Sequence, residues 1–415
     1  MRAAGSFKIC TPENISITPG KSAHPRIAVD GSGAIFIVWE EEAEPGNREI
    51  YLTRLSFNPA CFSPPEDEPV SPVRERLEPV NVSNNSGESR DPDLALSGRG
   101  RGFVVWQDTT VTEENPHGKG AILLRWFTTG DQGQIELWDP FNLSEQPRAV
   151  AEVPSIVVDE FGRSFVAWQQ AIADNPAEIL LRTSLPYSPK VNISQSSIYD
   201  SQAPDLAVTP DSSQIFIVWQ EKPGVNWEIF LSSSENAEER FVRPEFTAPN
   251  NISNTSGDSE GPVIVAIDGL EQLVVWSDST PGDYDIFFRR STEGFKPHFN
   301  ISENCPQGSE WDSRQPAIAL DNSSNILVAW QEDVQGNREI FLATSDFRGE
   351  EPYECLNVSQ GAEFSVGNRP PQPSPYTSSL PAIATDRSGH IFIVWEEQVG
   401  PEEGDTEIYF TALKR

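Results

Sequence analysis

Pro25-Arg26-Ile27-Ala28-Val29-Asp30-Gly31-Ser32-Gly33-Ala34-Ile35-Phe36-Ile37-Val38-Trp39-Glu40 decides the fold, because the chain returns to this pattern six more times. The apolar run ends at Trp39, Trp106, Trp168, Trp219, Trp276, Trp330 and Trp395. A proline precedes each tryptophan by fourteen residues, or fifteen in the fourth copy: Pro25, Pro92, Pro154, Pro204, Pro262, Pro316 and Pro381. A fixed period of this length marks a repeat architecture in which each unit buries its apolar face against its neighbours.

Within one repeat, a short strand A follows the proline, as in Arg26–Val29 or Asp205–Val208. Asp, Gly, Ser and Asn then form a hairpin turn such as Asp30-Gly31-Ser32-Gly33, since these residues supply positive φ and self-capping side chains. Strand B, Ile35–Trp39 and its equivalents, is apolar at nearly every position and so is expected to be covered on both faces. Strand C opens on a motif like Asn47-Arg48-Glu49-Ile50-Tyr51 or Asn337-Arg338-Glu339-Ile340-Phe341. The second copy lacks that motif and reads Ala121-Ile122-Leu123. Strand D leads into an Asn-apolar-Ser triplet beginning at Asn14, Asn81, Asn142, Asn192, Asn251, Asn300 and Asn357.

The count of D strands carries the topology. The chain opens on a D element, Phe7–Ser16, and ends on a C strand, Glu407–Leu413. One D is in surplus at the start and one is missing at the end, so the N-terminal strand is expected to complete the last sheet. The predicted fold is therefore all-β: a seven-bladed β-propeller of four-stranded antiparallel blades in one domain, residues 1–415. The closing strand is 7–16, and the blades lie at about 24–83, 91–144, 153–194, 203–253, 261–302, 315–359 and 380–413. Two connections are swollen: Asn58 to Glu78, and Gln360 to Leu380 with its Pro370-Pro371-Gln372-Pro373 run. Long loops in compact proteins commonly carry function.

A net charge of -33 disfavours nucleic acid and anionic membrane surfaces as partners. No window reaches the length of a membrane-spanning helix, and no apolar signal segment is present in this chain. Four widely spaced cysteines, Cys10, Cys61, Cys305 and Cys355, have no metal-ligand spacing, and four scattered histidines make a zinc site an unexpected outcome. Of three possible disulfide connectivities, 10–61 with 305–355 is the expected one, because Cys10 and Cys61 fall on the blades that meet where the ring closes. An extracellular or cell-surface location fits this composition.

The seven tryptophans read as packing between blades. Ligand candidates are instead the aromatics in B–C and D–A loops, which share one end of a propeller: Trp227, Trp311, Tyr199, Tyr284 and Tyr376. That rim is expected to be acidic, from Glu40, Glu41, Glu42, Glu44, Asp108, Asp174, Glu221, Asp278, Glu332, Asp333, Glu396, Glu397, Glu402 and Glu403. Asp200, Asp258 and Asp312, in a recurring Asp-Ser-x-x-Pro, are candidate calcium ligands, although no calcium-loop spacing is present. Asn84, Asn254 and Asn322 join the seven triplet asparagines to give ten glycosylation acceptor motifs. Recurrence of seven at one structural position favours a turn-shaping role for those asparagines. No nucleophile elbow, phosphate loop or zinc-protease motif occurs.

The repeat P-x-I-A-x-D-x-x-G-x-I-x-I-V-W-x-(E/D), then E-I-(Y/F), then N-(I/V)-S, resembles the propeller repeats of sialidase-like proteins of microbial surfaces. The likeness spans the whole chain. Remnants of that family's Asp-box stand at Ser291-Thr292-Glu293-Gly294-Phe295 and Ser345-Asp346-Phe347-Arg348-Gly349. The resemblance implies the propeller. The family's three substrate-clamping arginines, tyrosine–glutamate nucleophile and acid are not matched residue by residue, and Arg26 is the one arginine expected on a strand A. The leading expectation is a non-enzymatic module that binds a protein or glycan at a cell surface through its acidic rim. A sialidase-like hydrolase and a self-associating subunit of a surface assembly are the alternatives.

Overall fold

The computed structural model describes residues 7–415 except 19, 66–68, 99, 113, 114, 116, 131, 132, 146, 147, 174, 185–187, 235–243, 269, 270, 281, 292–298, 306–310, 346–353, 360–376 and 401–404. Seven antiparallel sheets make up a β-propeller. Blade 1 runs Lys21–Val29 (A), Ala34–Glu44 (B), Asn47–Phe57 (C) and then Val73–Arg76 with Val80–Asn81 (D). Blades 2 to 6 repeat this order, with inner strands Ser89–Leu96, Ala149–Val158, Ser201–Val208, Ser259–Ala266 and Ser313–Leu320. Blade 7 has Ser378–Thr385, His390–Gln398 and Thr406–Lys414. Its fourth strand is the N-terminal segment: Ile9 pairs with Leu413 and Asn14 with Tyr409. Among the described residues no helix is long and apolar enough to cross a membrane.

Seven apolar clusters hold the ring, one at each blade junction. Trp39 lies with Phe392, Ile408 and Phe410 of blade 7, and Trp106 with Ile50 and Leu52 of blade 1. The same arrangement recurs around Trp168, Trp219, Trp276, Trp330 and Trp395. All seven indoles are at most 1% exposed. Five of them lie 6.0–6.3 Å from the aromatic that follows Glu-Ile or Asp-Ile in strand C, four stacked, such as Tyr51 on Trp39 and Phe341 on Trp330, and the Trp395–Tyr409 pair tilted. A cluster at the blade 7–blade 1 junction equivalent to the other six means that the ring is closed. Cys10 and Cys61 are bonded across that junction, and Cys305 is bonded to Cys355.

Strand A differs from the expectation that it starts after the proline. It begins three or four residues earlier in most blades and crosses a bulge, with a register shift at Ala23/Arg26 and its six equivalents. Proline has no N–H to give the ladder, so the strand is broken there rather than ended. The residue before each proline takes positive φ: His24, Asp91, Val153, Ala203, Gly261, Gln315 and Leu380, between 48° and 60°. Strand A therefore also carries Arg90 and Arg314, besides Arg26.

Candidate functional site

Of the acids expected on the rim, Glu44 is exposed and Glu42 and Asp333 are half-buried, but the acids two places after the tryptophans are not on it. Strand B continues past each tryptophan and carries them inward, where Glu41, Asp108, Glu221, Asp278, Glu332 and Glu397 are 0–7% exposed. Each accepts the indole N–H of the tryptophan two residues earlier: Trp39 to Glu41 Oε2 at 3.0 Å, Trp106 to Asp108 at 3.0 Å, Trp330 to Glu332 at 2.7 Å. Each also accepts a hydroxyl from the serine three residues before the strand A proline. Ser22 reaches Glu41 at 2.7 Å, Ser259 reaches Asp278 at 2.8 Å and Ser313 reaches Glu332 at 2.6 Å. Blade 3 has Ala151 in place of that serine and Gln170 in place of the acid, and Gln170 Oε1 still takes Trp168 Nε1–H at 3.1 Å. Serine and acid change together, as partners in one lock should. Burial pushes Glu332 up to about 7, with Asp285 and Asp312 adding repulsion.

A second lock uses the acid that opens strand C. The triplet serine donates to it and accepts the next backbone N–H: Ser253 Oγ lies 2.5 Å from Glu228 and 2.8 Å from Ile229 N. Ser302 bonds Asp285 at 2.8 Å and Ile286 N at 3.0 Å. The triplet asparagine caps the turn, as Asn81 Oδ1 accepts Asn84 N–H at 2.7 Å and Asn192 Oδ1 accepts Gln195 N–H at 2.9 Å. Blade 2, which lacks the acid, keeps only the bond from Ile122 N to Ser144 Oγ at 3.2 Å.

The residue directly after the tryptophan clasps the next blade. Its side chain accepts the N–H of the positive-φ residue there: Gln169 from Ala203 at 3.1 Å, Gln220 from Gly261 at 2.9 Å, Glu40 from Asp91 at 2.7 Å. Glu396 lies against the backbone of His24 at the equivalent place. Around His24 the clasp is charged. Its Nδ1 lies 3.1 Å from Glu40 Oε1, its Nε2 lies 3.9 Å from Asp91 Oδ1, and Arg48 donates to Glu40 Oε2 at 3.2 Å. Burial works against charge on both His24 and Glu40. Their mutual contact outweighs it, holding the imidazole above and the carboxyl below its ordinary range.

Inside the channel, the residues after the prolines of blades 1 to 4 are Arg26, Asp93, Ser155 and Asp205. Arg26 lies 3.9 Å from Asp93, Asp93 accepts Ile156 N–H at 2.8 Å, and Ser155 donates to Asp205 at 3.0 Å. Burial pushes Asp205 up to about 6. Below them strands A line an apolar cavity of about 400 Å³, including Leu94, Ile156, Leu206 and Ile264.

The aromatic candidates separate. Trp311 packs on the core between blades 5 and 6, and Tyr199 is half-buried with its N–H on Ser196 Oγ at 3.2 Å. Tyr376 lies outside the described residues, as do Asp174, Glu402, Glu403 and nearly all of both Asp-box remnants. Trp227 and Tyr284 are brought into one row. Asp258 Oδ1 accepts Trp227 N–H at 2.9 Å, and Asp312 Oδ1 accepts Tyr284 N–H at 2.9 Å. Lys222 Nζ lies 5.4 Å from the centre of the Trp227 ring, and the Arg314 guanidinium lies 3.5 Å from that of Tyr284. Arg314 also faces Glu260 at 3.7 Å and Asp312 at 3.4 Å. Burial raises the Tyr284 hydroxyl and the nearby Glu260 carboxylate raises it further, against the opposing charge of Arg314.

Asp200, Asp258 and Asp312 thus stand at three separate blade junctions, each clipping the start of a strand C; Asp200 accepts Ala177 N–H at 3.0 Å. They do not converge. Among the described residues the group whose ligand atoms do converge is His24, Glu40 and Asp91, which no local sequence pattern joins because the three come from separate elements of two blades.

No protein-family model matches the chain, and no curated protein matches it. Its neighbours among solved structures are sialidase-like and arabinofuranosidase propellers. A Dyadobacter fermentans protein of unknown function superposes with a TM-score of 0.56 at 10% identity, over 99% of this chain and 100% of its own. The α-L-arabinofuranosidase of Fusarium graminearum from family GH93 gives 0.48 at 12% identity, over 98% of each chain. The NanB sialidase of Streptococcus pneumoniae gives 0.48 at 10% identity, over 100% of this chain and 71% of its own. At these identities the likeness is one of fold.

Proposed function

We propose that this chain is a non-catalytic binding propeller of an extracellular or cell-surface setting, which takes a surface glycan on the B–C and D–A face of blades 4 to 6. One observation carries the reading: Trp227, Asp258, Tyr284, Asp312, Arg314 and Glu260 form a continuous row over three blades. Aromatic rings held by cations, bordered by carboxylates and a guanidinium, suit a sugar's apolar faces and hydroxyls. Backbone clips from Asp258 and Asp312 order the row before any ligand arrives, which lowers the entropy lost on binding. Two disulfides and the high negative charge suit an oxidising exterior. The test is a glycan display probed with the full chain: a ligand bound by wild type, and lost in Trp227→Ala and Arg314→Ala while the melting temperature holds, supports the row. Binding indifferent to both substitutions removes it.

The hydrolase reading is favoured by one feature, the Tyr284 hydroxyl close to the Glu260 carboxylate with Arg314 over the ring. Against it, the six strand B acids are consumed by indole and hydroxyl donors, and Arg26 and Arg314 each face carboxylates of their own or a neighbouring blade.

A further inference from the structure

From the junction of blades 1 and 2, we infer a site for one first-row divalent cation of the zinc or manganese class, with His24, Glu40 and Asp91 as protein ligands. It is independent of the binding row, which lies on other blades. One donor atom from each residue lies within 4.8 Å of the other two. Bonds of ~2.1 Å arranged tetrahedrally place ligand atoms about 3.4 Å apart, so closing on an ion takes side-chain shifts of about 1 Å. An imidazole with two carboxylates favours such an ion over calcium, which prefers oxygen alone.

The repeat supplies an internal control. The clasp needs only an acceptor after the tryptophan, and Gln169 and Gln220 serve as well as Glu40 does. The positive-φ position needs no particular side chain either, being Val153, Ala203, Gly261, Gln315 or Leu380 in the other five blades. At this one junction all three contacting positions hold metal-ligating residues that the fold does not require. His24 Nδ1 is sealed from solvent and makes no aligned hydrogen bond, although Glu40 Oε1 is 3.1 Å away. The ring as a whole is 35% exposed and Asp91 32%, so an ion can reach the site from solvent. Glu40, 1% exposed and oriented by Arg48 and Asp91 N–H, is the fixed ligand. Arg26 lies 3.9 Å from Asp93 and Arg90 pairs with Glu88, so neither guanidinium is left unpaired against the ion.

The repeat also supplies substitutions that should fold: Glu40→Gln copies four other blades, His24→Gln copies Gln315, and Asp91→Ala copies Ala203. The experiment is calorimetric titration of chelator-treated full-length protein with ZnCl₂, MnCl₂ and CaCl₂ separately, alongside melting curves. The inference predicts one saturable site for zinc or manganese that raises the melting temperature. Each substitution should weaken it by roughly tenfold or more, since losing even a supporting partner of a ligand costs that much. No saturable binding by either metal, tighter binding of calcium, or binding unchanged in Glu40→Gln and His24→Gln overturns it.

Discussion

Replacing Glu332 by glutamine should stabilise the protein at pH 8 and leave it nearly unchanged at pH 5. Glu332 is 6% exposed and its Oε2 accepts both Ser313 Oγ–H and Trp330 Nε1–H. Burial lifts its folded pKa to about 7, against 4.5 for the free side chain. The native state therefore holds a proton that the unfolded chain releases between those values. Stability from this group is complete below pH 4.5 and is lost as pH rises through about 7. That rise in pKa corresponds to roughly 3 kcal/mol. Glutamine keeps an acceptor for both donors without the charge, as Gln170 does beneath Trp168. With an unfolding entropy of about 2.1 cal/mol/K per residue, the gain at pH 8 corresponds to about 3 °C in melting temperature. Calorimetric melts of wild type and Glu332→Gln at pH 5 and pH 8 measure it. A variant that loses stability at pH 8, and loses more there than at pH 5, would refute the reasoning, because the lock would then draw strength from the charge.

Three further outcomes follow from the locks and the ring. Cys10→Ser with Cys61→Ser opens a 51-residue link and should cost about 2–4 kcal/mol in urea unfolding; deleting residues 1–16 should lower the melt further, and an unchanged melt would mean that this strand does not close the ring. Ala151→Ser with Gln170→Glu should build the missing lock in blade 3, with a favourable coupling of about 1.5–3 kcal/mol in a double-mutant cycle at pH 5; zero coupling would show that the serine and acid are not partners. In a secretory host, peptide mapping should find glycans at Asn84 and Asn254, whose side chains are exposed, and not at Asn81 or Asn251, which cap turns. Full occupancy of Asn81 and Asn251 with an unaltered melt would contradict the capping role.

The fold was legible because its signal is the repeat itself. Fourteen-residue spacing from Pro25 to Trp39, with one D strand in surplus at the start and one missing at the end, specifies seven sheets and their closure without any contact being known. The acids were misread for a physical reason. A carboxylate after an apolar strand looks like the first residue of a wet loop, and only the position of Ser22 across the bulge shows that Glu41 has a buried partner. A signal for it did exist, since serine and acid depart together in blade 3 as Ala151 and Gln170. The bulge also hid Arg90 and Arg314 from strand A, because the proline looked like its start. For His24, Glu40 and Asp91 no local pattern was available: ring geometry alone makes neighbours of a bulge in blade 1, a clasp and a bulge in blade 2.

Separating binding from hydrolysis is the most direct test of the functional account. The measurement is steady-state turnover of the full chain on fluorogenic sialosides, α-L-arabinofuranosides and a wider glycoside panel. The account predicts no turnover above the level of Tyr284→Phe and Glu260→Gln. Turnover by wild type that disappears in those two variants would contradict it and make the row over blades 4 to 6 an active site.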